Sequence, residues 1–203
     1  MGKMKLHLGC GKRYLQGFVH VDLADFPHID YRHGVDRLQM FPDGAAELIY
    51  TSHVLGYFDR IEAKRVLQEW NRVLCIGGLL RLAVPDFRAL AEVYFEYGKL
   101  DLILGPLYGR MEVTGTESLI YERTVYDFES LKGLLEETGF AEVHRYDWRQ
   151  TIHRDVDDHS QAYIPHMEKE RGKLVSLNVE STKIRHSQPH VDETTSVPDA
   201  TKG

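Results

Sequence analysis

The sequence predicts an α/β protein built on a doubly wound sheet. Three observations carry that prediction. Short apolar-alternating segments recur with helically spaced apolar residues between them through the first two thirds of the chain. A glycine pair, Gly9 and Gly11, directly follows the first such segment, and the second ends on an acid, Asp22. Ligands of doubly wound sheets bind outside the carboxyl ends of the strands. Functional residues are therefore expected in the loops 9–17, 35–38 and 51–59, after Asp22 and after Val84.

Lys5–Leu8 reads as the first strand, closed by Gly9-Cys10-Gly11. Phe18–Asp22 reads as the second, and the connection 12–17 has room for only a turn or two of helix, where a parallel crossover normally needs a dozen residues. A Pro42-Asp43-Gly44 turn introduces a third strand at Glu47–Thr51. Ala63, Val66, Leu67, Trp70, Val73 and Leu74 then keep helical spacing until Gly77-Gly78, which is expected to stop the helix. Leu79–Val84, apolar except for Arg81, is the pattern of a strand buried on both faces, and Pro85 ends it. A helix is expected over Asp86–Lys99 and a loop-rich insertion over Leu107–Tyr126. A last helix carries Phe128, Leu131, Leu134 and Leu135 up to Gly139. Glu142–Tyr146 and Leu174–Val179 follow with no apolar helix between them, which favours an antiparallel pair at the end of the sheet. Residues 184–203 are polar, contain Pro189 and Pro198, and are expected to be a disordered, dispensable tail after a single domain over 1–183.

Composition narrows the function. With 25 Lys+Arg against 31 Asp+Glu the net charge is −6, and no basic run is long enough to follow a phosphate backbone, so no nucleic acid is expected as a partner. No apolar stretch reaches the roughly 20 residues that span a bilayer, and no signal-peptide core follows Met1, so the expectation is a cytoplasmic protein without membrane insertion. Two cysteines, Cys10 and Cys75, exclude a disulfide framework or a cysteine-built zinc site. Oligomerisation is left open.

Gly9 and Gly11 allow a ligand to approach the backbone closely, and an acid ending the next strand can accept two hydrogen bonds from a ribose diol. A dinucleotide site would need a third glycine and an acid about 20 residues on. The position two beyond Gly11 is Arg13, and Asp22 comes early. The pattern favours a smaller adenosyl ligand over a nicotinamide dinucleotide.

Leu6-His7-Leu8-Gly9-Cys10-Gly11, Val19-His20-Val21-Asp22 and Ile49-Tyr50-Thr51-Ser52-His53-Val54-Leu55 resemble class I S-adenosylmethionine-dependent methyltransferases. So does Glu69-Trp70-Asn71-Arg72-Val73-Leu74-Cys75-Ile76-Gly77-Gly78, with Arg-Val-Leu-x-x-Gly-Gly its most specific part. Asp157-Asp158-His159-Ser160-Gln161-Ala162-Tyr163 and Ser176–Glu180 look like a small bacterial subgroup associated with surface-polysaccharide metabolism. The resemblance spans residues 4–183. It implies a seven-stranded, mostly parallel Rossmann-like sheet with an antiparallel last strand, and S-adenosylmethionine as cofactor. Gly9 and Gly11 would face the methionine part, Asp22 the ribose hydroxyls, Asp36 with Arg37 and Leu38 the adenine, and Thr51, Ser52 and His53 the sulfonium, with Cys10 and Leu23 also among the cofactor-binding residues. The sequence departs from the family pattern at His7, where an acid is usual, at Arg13, and at Leu55-Gly56-Tyr57, where Leu-Glu-His is frequent.

Methyl transfer needs an aligned acceptor and, for a hydroxyl, a base near neutral pKa. His53, at a strand's carboxyl end, is the first candidate; the alternative is a histidine bonded to backbone. Asp86 is the second, and its alternative is a helix N-cap. Tyr108, Arg110, His153, Asp158 and His159 are candidates for binding a small-molecule acceptor without metal; Tyr108 and Arg110 share the insertion with Tyr121 and Arg123, and the alternative for these four is covering the sheet edge. The competing functions are a non-catalytic adenosyl-binding protein and a nicotinamide-dependent oxidoreductase, the latter disfavoured by the short first crossover.

Overall fold

A computed structural model of the chain describes residues 4–166 and 168–184. In chain order the elements are β1 (Met4–Leu8), β2 (Val19–Asp22), β3 (Tyr31–Arg32), β4 (Ala46–Ser52), α1 (Arg60–Val73), β5 (Leu74–Pro85), α2 (Phe87–Tyr97) and α3 (Asp101–Tyr108). There follow β6 (Arg110–Glu112), β7 (Leu119–Tyr121), α4 (Phe128–Glu137), β8 (Phe140–Arg145), β9 (Tyr163–Ile164), β10 (Lys173–Leu174) and β11 (Ser176–Lys183). Seven strands form one sheet in the order β3-β2-β1-β4-β5-β11-β8. β1 to β5 pair in parallel, and β11 lies antiparallel between β5 and β8.

Period-two alternation divides the sheet into two unlike faces. Leu6, Leu8, Ile49, Leu80, Leu82, Leu177 and Val179 turn to the face covered by α1 and α4, and with Trp70, Leu131 and Leu135 they form the main core. The register across the other face sets His20 beside His7, His7 beside Tyr50, Tyr50 beside Arg81, Arg81 beside Glu180 and Glu180 beside His144. A polar and aromatic row therefore crosses the whole sheet. The first crossover contains no helix to cover that row; Leu15 and Phe18 pack on it instead, with Val156 from the segment before β9. His153 stacks on Tyr50 at 3.9 Å, Asp158 accepts the Tyr50 hydroxyl hydrogen, and Arg81 binds Glu180 at 2.5 Å with Tyr146 over its guanidinium.

α1 starts at Asp59, whose side chain caps Ile61 and Glu62 while Glu62 bonds back to the Asp59 N–H. Its end is secured by the buried Lys183 ammonium, which donates to the Asn71 and Leu74 carbonyls at 2.6 and 2.7 Å. Two sequence expectations are corrected here. Gly77-Gly78 do not stop the helix: α1 ends at Val73, and both glycines lie inside β5 where its pairing with β4 slips between Leu74 and Leu79. An added Cβ at Gly78 would press on the Cys75 carbonyl oxygen at 2.8 Å, so the slip requires glycine there. The insertion is ordered as α3 and the β6–β7 hairpin. β3 carries two exposed residues and has no apolar signal. The expected tail, apart from Ile184, falls outside the described residues. No helix among the described residues is long and apolar enough to cross a membrane.

Candidate functional site

The carboxyl ends of β1, β2 and β4 open into a cavity of about 410 Å3. Its wall on the β1 side is Gly9-Cys10-Gly11. Gly9 has φ +63° and an added Cβ would collide with Val54; Gly11 has φ +52°, and an added Cβ would meet no protein atom. The first glycine thus lets the loop pack on the residue after β4, and the second leaves ligand space. Asp22 fixes the loop's other side: its Oδ2 accepts the Gly11 N–H and its Oδ1 the Ala24 N–H, both at 2.7 Å. Two backbone donors thereby hold a carboxylate with its remaining lone pairs available on the cavity wall.

The floor beneath the next loop is built by α1. Trp70 Nε1 donates to the Val35 carbonyl at 2.8 Å, Glu69 accepts the Leu38 N–H at 2.6 Å, and Arg72 donates to the Leu38 and Phe41 carbonyls. One helical turn, Glu69–Arg72, thus holds loop 35–41 by four hydrogen bonds. Gly34, Val35 and Asp36 line the cavity as a result.

Expected residues divide clearly. Gly9, Cys10, Gly11, Asp22, Leu23, Asp36, Ser52 and His53 line this cavity together. Three do not, and are corrected. Arg37 points to solvent with an 80% exposed side chain, Leu38 is buried in the main core, and Thr51 follows Ile49 onto the core face of β4. Burial raises the Cys10 thiol pKa to about 12, leaving it an inert wall group.

A hairpin roofs the cavity. Met111, Val113, Thr114 and Ile120 face into it, the Asp25 N–H donates to the Thr114 carbonyl at 2.9 Å, and Arg32 donates to the Gly115 carbonyl at 3.0 Å. At the base, the Arg123 and Thr124 N–H groups donate to the Gly56 carbonyl, and the Arg123 guanidinium binds Asp59 and Glu62. Nothing in the periodicity signalled this roof.

A second cavity of about 260 Å3 adjoins the first and shares His53, Tyr57, Met111 and His159 with it. His53 has φ +54°, an unusual and costly backbone for a non-glycine residue, and its Nε2 lies 3.0 Å from Ser176 Oγ. Burial and then His159 push its pKa well below 6.5, so the ring is a neutral imidazole. Arg110 lines the second cavity and pairs with Glu112. Glu122, which the sequence reading did not single out, lines its far wall.

The remaining expectations are corrected. Asp86 lines neither of these two cavities; it caps α2 through Arg88 and Ala89 and binds Arg145 at 3.1 Å, so the N-cap alternative describes it. Tyr108 is 71% exposed at the end of α3 and outside both. His153 is buried beneath the sheet against Tyr50, and Asp158 holds the Tyr50 hydroxyl and caps Ser160; they organise the polar face.

No protein-family model and no curated protein matches the sequence. Solved structures do. A methyltransferase from Mesorhizobium loti that depends on S-adenosylmethionine superposes with TM-score 0.51 at 16% identity, over 90% of this chain and 91% of that one. One from Archaeoglobus fulgidus gives 0.53 at 13%, over 89% and 86%. This chain has their fold. The 1,6-didemethyltoxoflavin-N1-methyltransferase of Burkholderia thailandensis, solved with S-adenosylhomocysteine, gives 0.52 at 13% identity, over 90% and 71%.

Proposed function

We propose that this protein is an S-adenosylmethionine-dependent methyltransferase acting on a hydroxyl or amine of a small polar acceptor, with a sugar or glycan precursor among the candidates. The observation that carries the reading is the pair of adjoining cavities at the strand ends, the larger bounded by the glycine loop and Asp22. The chemistry of the walls fits the cofactor. The carboxylate of Asp22 would accept the ribose hydroxyls, the Gly9–Gly11 backbone would approach the methionine part, and the backbone of 34–36, held by Trp70, would flank the adenine. The bound sulfonium supplies an already activated methyl group, so the protein's work is alignment and exclusion of water. Ser52, His53 and Tyr57, on the border of the first cavity, would face the reacting centre, and the hairpin roof would keep water from it.

Turnover tests the reading. Incubated with S-adenosylmethionine and a panel of small amines and sugars, the protein is expected to release S-adenosylhomocysteine with at least one acceptor, and His53→Ala to slow release tenfold or more. Tight cofactor binding with no release from any acceptor would favour the non-catalytic alternative.

A further inference from the structure

Glu122 is a buried carboxyl group that the site described above does not use. It is 9% exposed, its Oε2 is buried with no hydrogen-bond partner, and it lines the second cavity together with His53. Its carboxyl also occupies the space beside Gly56: an added Cβ at residue 56 would collide with Oε2 and crowd the Thr124 carbonyl. Gly56 is thus glycine because the insertion brings a carboxyl group into that place. A buried carboxyl with an unfilled oxygen costs stability unless something later fills it.

We propose that Glu122 is the acceptor-binding residue of the second cavity and that the acceptor it selects is a small amine, received as its ammonium. This rests on the methyltransferase reading above and narrows it. The other walls favour a cation. Tyr57 offers an aromatic ring, Pro106, Ala162 and Val175 are apolar, and the Arg110 guanidinium is engaged by Glu112. His53 and His159 both have lowered pKa values and are neutral near pH 7. Tyr126, whose pKa is raised by burial, faces Glu122 without a hydrogen bond from its own hydroxyl. Among the described residues lining this cavity, Glu122 is accordingly the only acid able to balance a positive charge.

Burial raises the Glu122 pKa to about 8, so at pH 7 the empty site holds a carboxylic acid. Binding an ammonium then expels that proton: the carboxylic acid and ammonium become a carboxylate–ammonium pair, and one H+ goes to solvent. The same carboxylate can afterwards take a proton from the ammonium, leaving a neutral amine beside a carboxylic acid.

The test uses benzylamine and its neutral analogue benzyl alcohol as probes, titrated calorimetrically at pH 7 into protein saturated with S-adenosylhomocysteine, in buffers of different ionisation enthalpy. Benzylamine should bind at least tenfold more tightly than the alcohol and release close to one proton. Glu122→Gln should remove both the preference and the proton release while keeping its melting temperature and its S-adenosylhomocysteine affinity. Equal binding of the two probes, or a preference that survives in Glu122→Gln, overturns the proposal, and a preference for the alcohol would point to a hydroxyl acceptor instead. S-adenosylhomocysteine affinity is measured first and alone. Its absence counts against the methyltransferase reading, whereas normal affinity with no amine preference counts against this inference only.

Discussion

Replacing Asp22 with alanine is expected to weaken S-adenosylhomocysteine binding a hundredfold or more. The carboxylate does two jobs. It would accept the ribose hydroxyls, and it already holds the Gly11 and Ala24 N–H groups on either side of the cavity. Hydrogen bonds to a charged acceptor contribute roughly 1.5–3 kcal/mol each, so losing two costs about 3 kcal/mol or more, and each 1.4 kcal/mol is tenfold in affinity. Asp22→Asn, which keeps one acceptor oxygen, should lose less, on the order of tenfold. Calorimetric titration with parallel melting curves separates lost affinity from lost fold. A loss under threefold in Asp22→Ala would mean that the adenosyl group lies elsewhere.

The second large effect is acid sensitivity, and it comes from the polar face of the sheet. His7, His20 and His153 are buried to within 2% of full burial. Burial is the leading cause that lowers all three: His7 to about 3, aided by His20 and His153; His153 to about 4, opposed by Asp158; and His20, opposed by Asp30. Each is neutral in the folded protein, whereas the unfolded chain protonates near 6.5. Above pH 6.5 nothing is lost. As pH falls below 6.5 the unfolded state gains protons that the native state refuses, and stability drops by about 1.4 kcal/mol per pH unit for each histidine. His7 and His153, whose folded values lie below 5, together approach 3 kcal/mol per unit near pH 5, against the 5–15 kcal/mol typical of a whole domain, and His20 acts in the same direction. Unfolding followed by circular dichroism should therefore show a steep loss between pH 6 and 4. His7→Phe, which keeps an aromatic ring against Phe18 and Tyr50, should move the acid midpoint downward. An unchanged midpoint in that variant would remove His7 from the explanation.

Much of this was legible in the sequence, and the failures have physical reasons. β1, β2, β4 and the 79–84 part of β5 announce themselves because one or both faces are buried, which forces alternation or a continuous apolar run. The Glu69–Arg72 turn is legible because it performs a fixed task, pinning loop 35–41. The hairpin was not legible: β6 is three exposed residues and β7 nearly so, and its place is set by bonds to Asp25, Arg32 and Gly56 far away in sequence. Glu122 escaped notice for the same reason, since nothing in Tyr121-Glu122-Arg123 marks a buried acid. The place of Thr51 follows from alternation within β4. Thr51 lies two residues after Ile49 and shares its core-facing side, so alternation alone points it away from the cavity. For Asp86 the N-cap signal was right and sufficient.

The departures at His7 and Arg13 also gain a physical setting. His7 faces the polar side of the sheet, where it meets His20 and Tyr50 rather than the larger cavity. Arg13, in a crossover with no helix, donates to the Asp157 carbonyl at 3.2 Å and so links the glycine loop to the segment covering that face.

The most direct test of the adenosyl site is a crystal structure of the protein grown with saturating S-adenosylhomocysteine. The expected density fills the larger cavity, with the ribose diol on the Asp22 carboxylate, the adenine beside Asp36 and the sulfur close to Ser52 and His53. An empty cavity under those conditions, or a ligand bound anywhere else on the molecule, would contradict it.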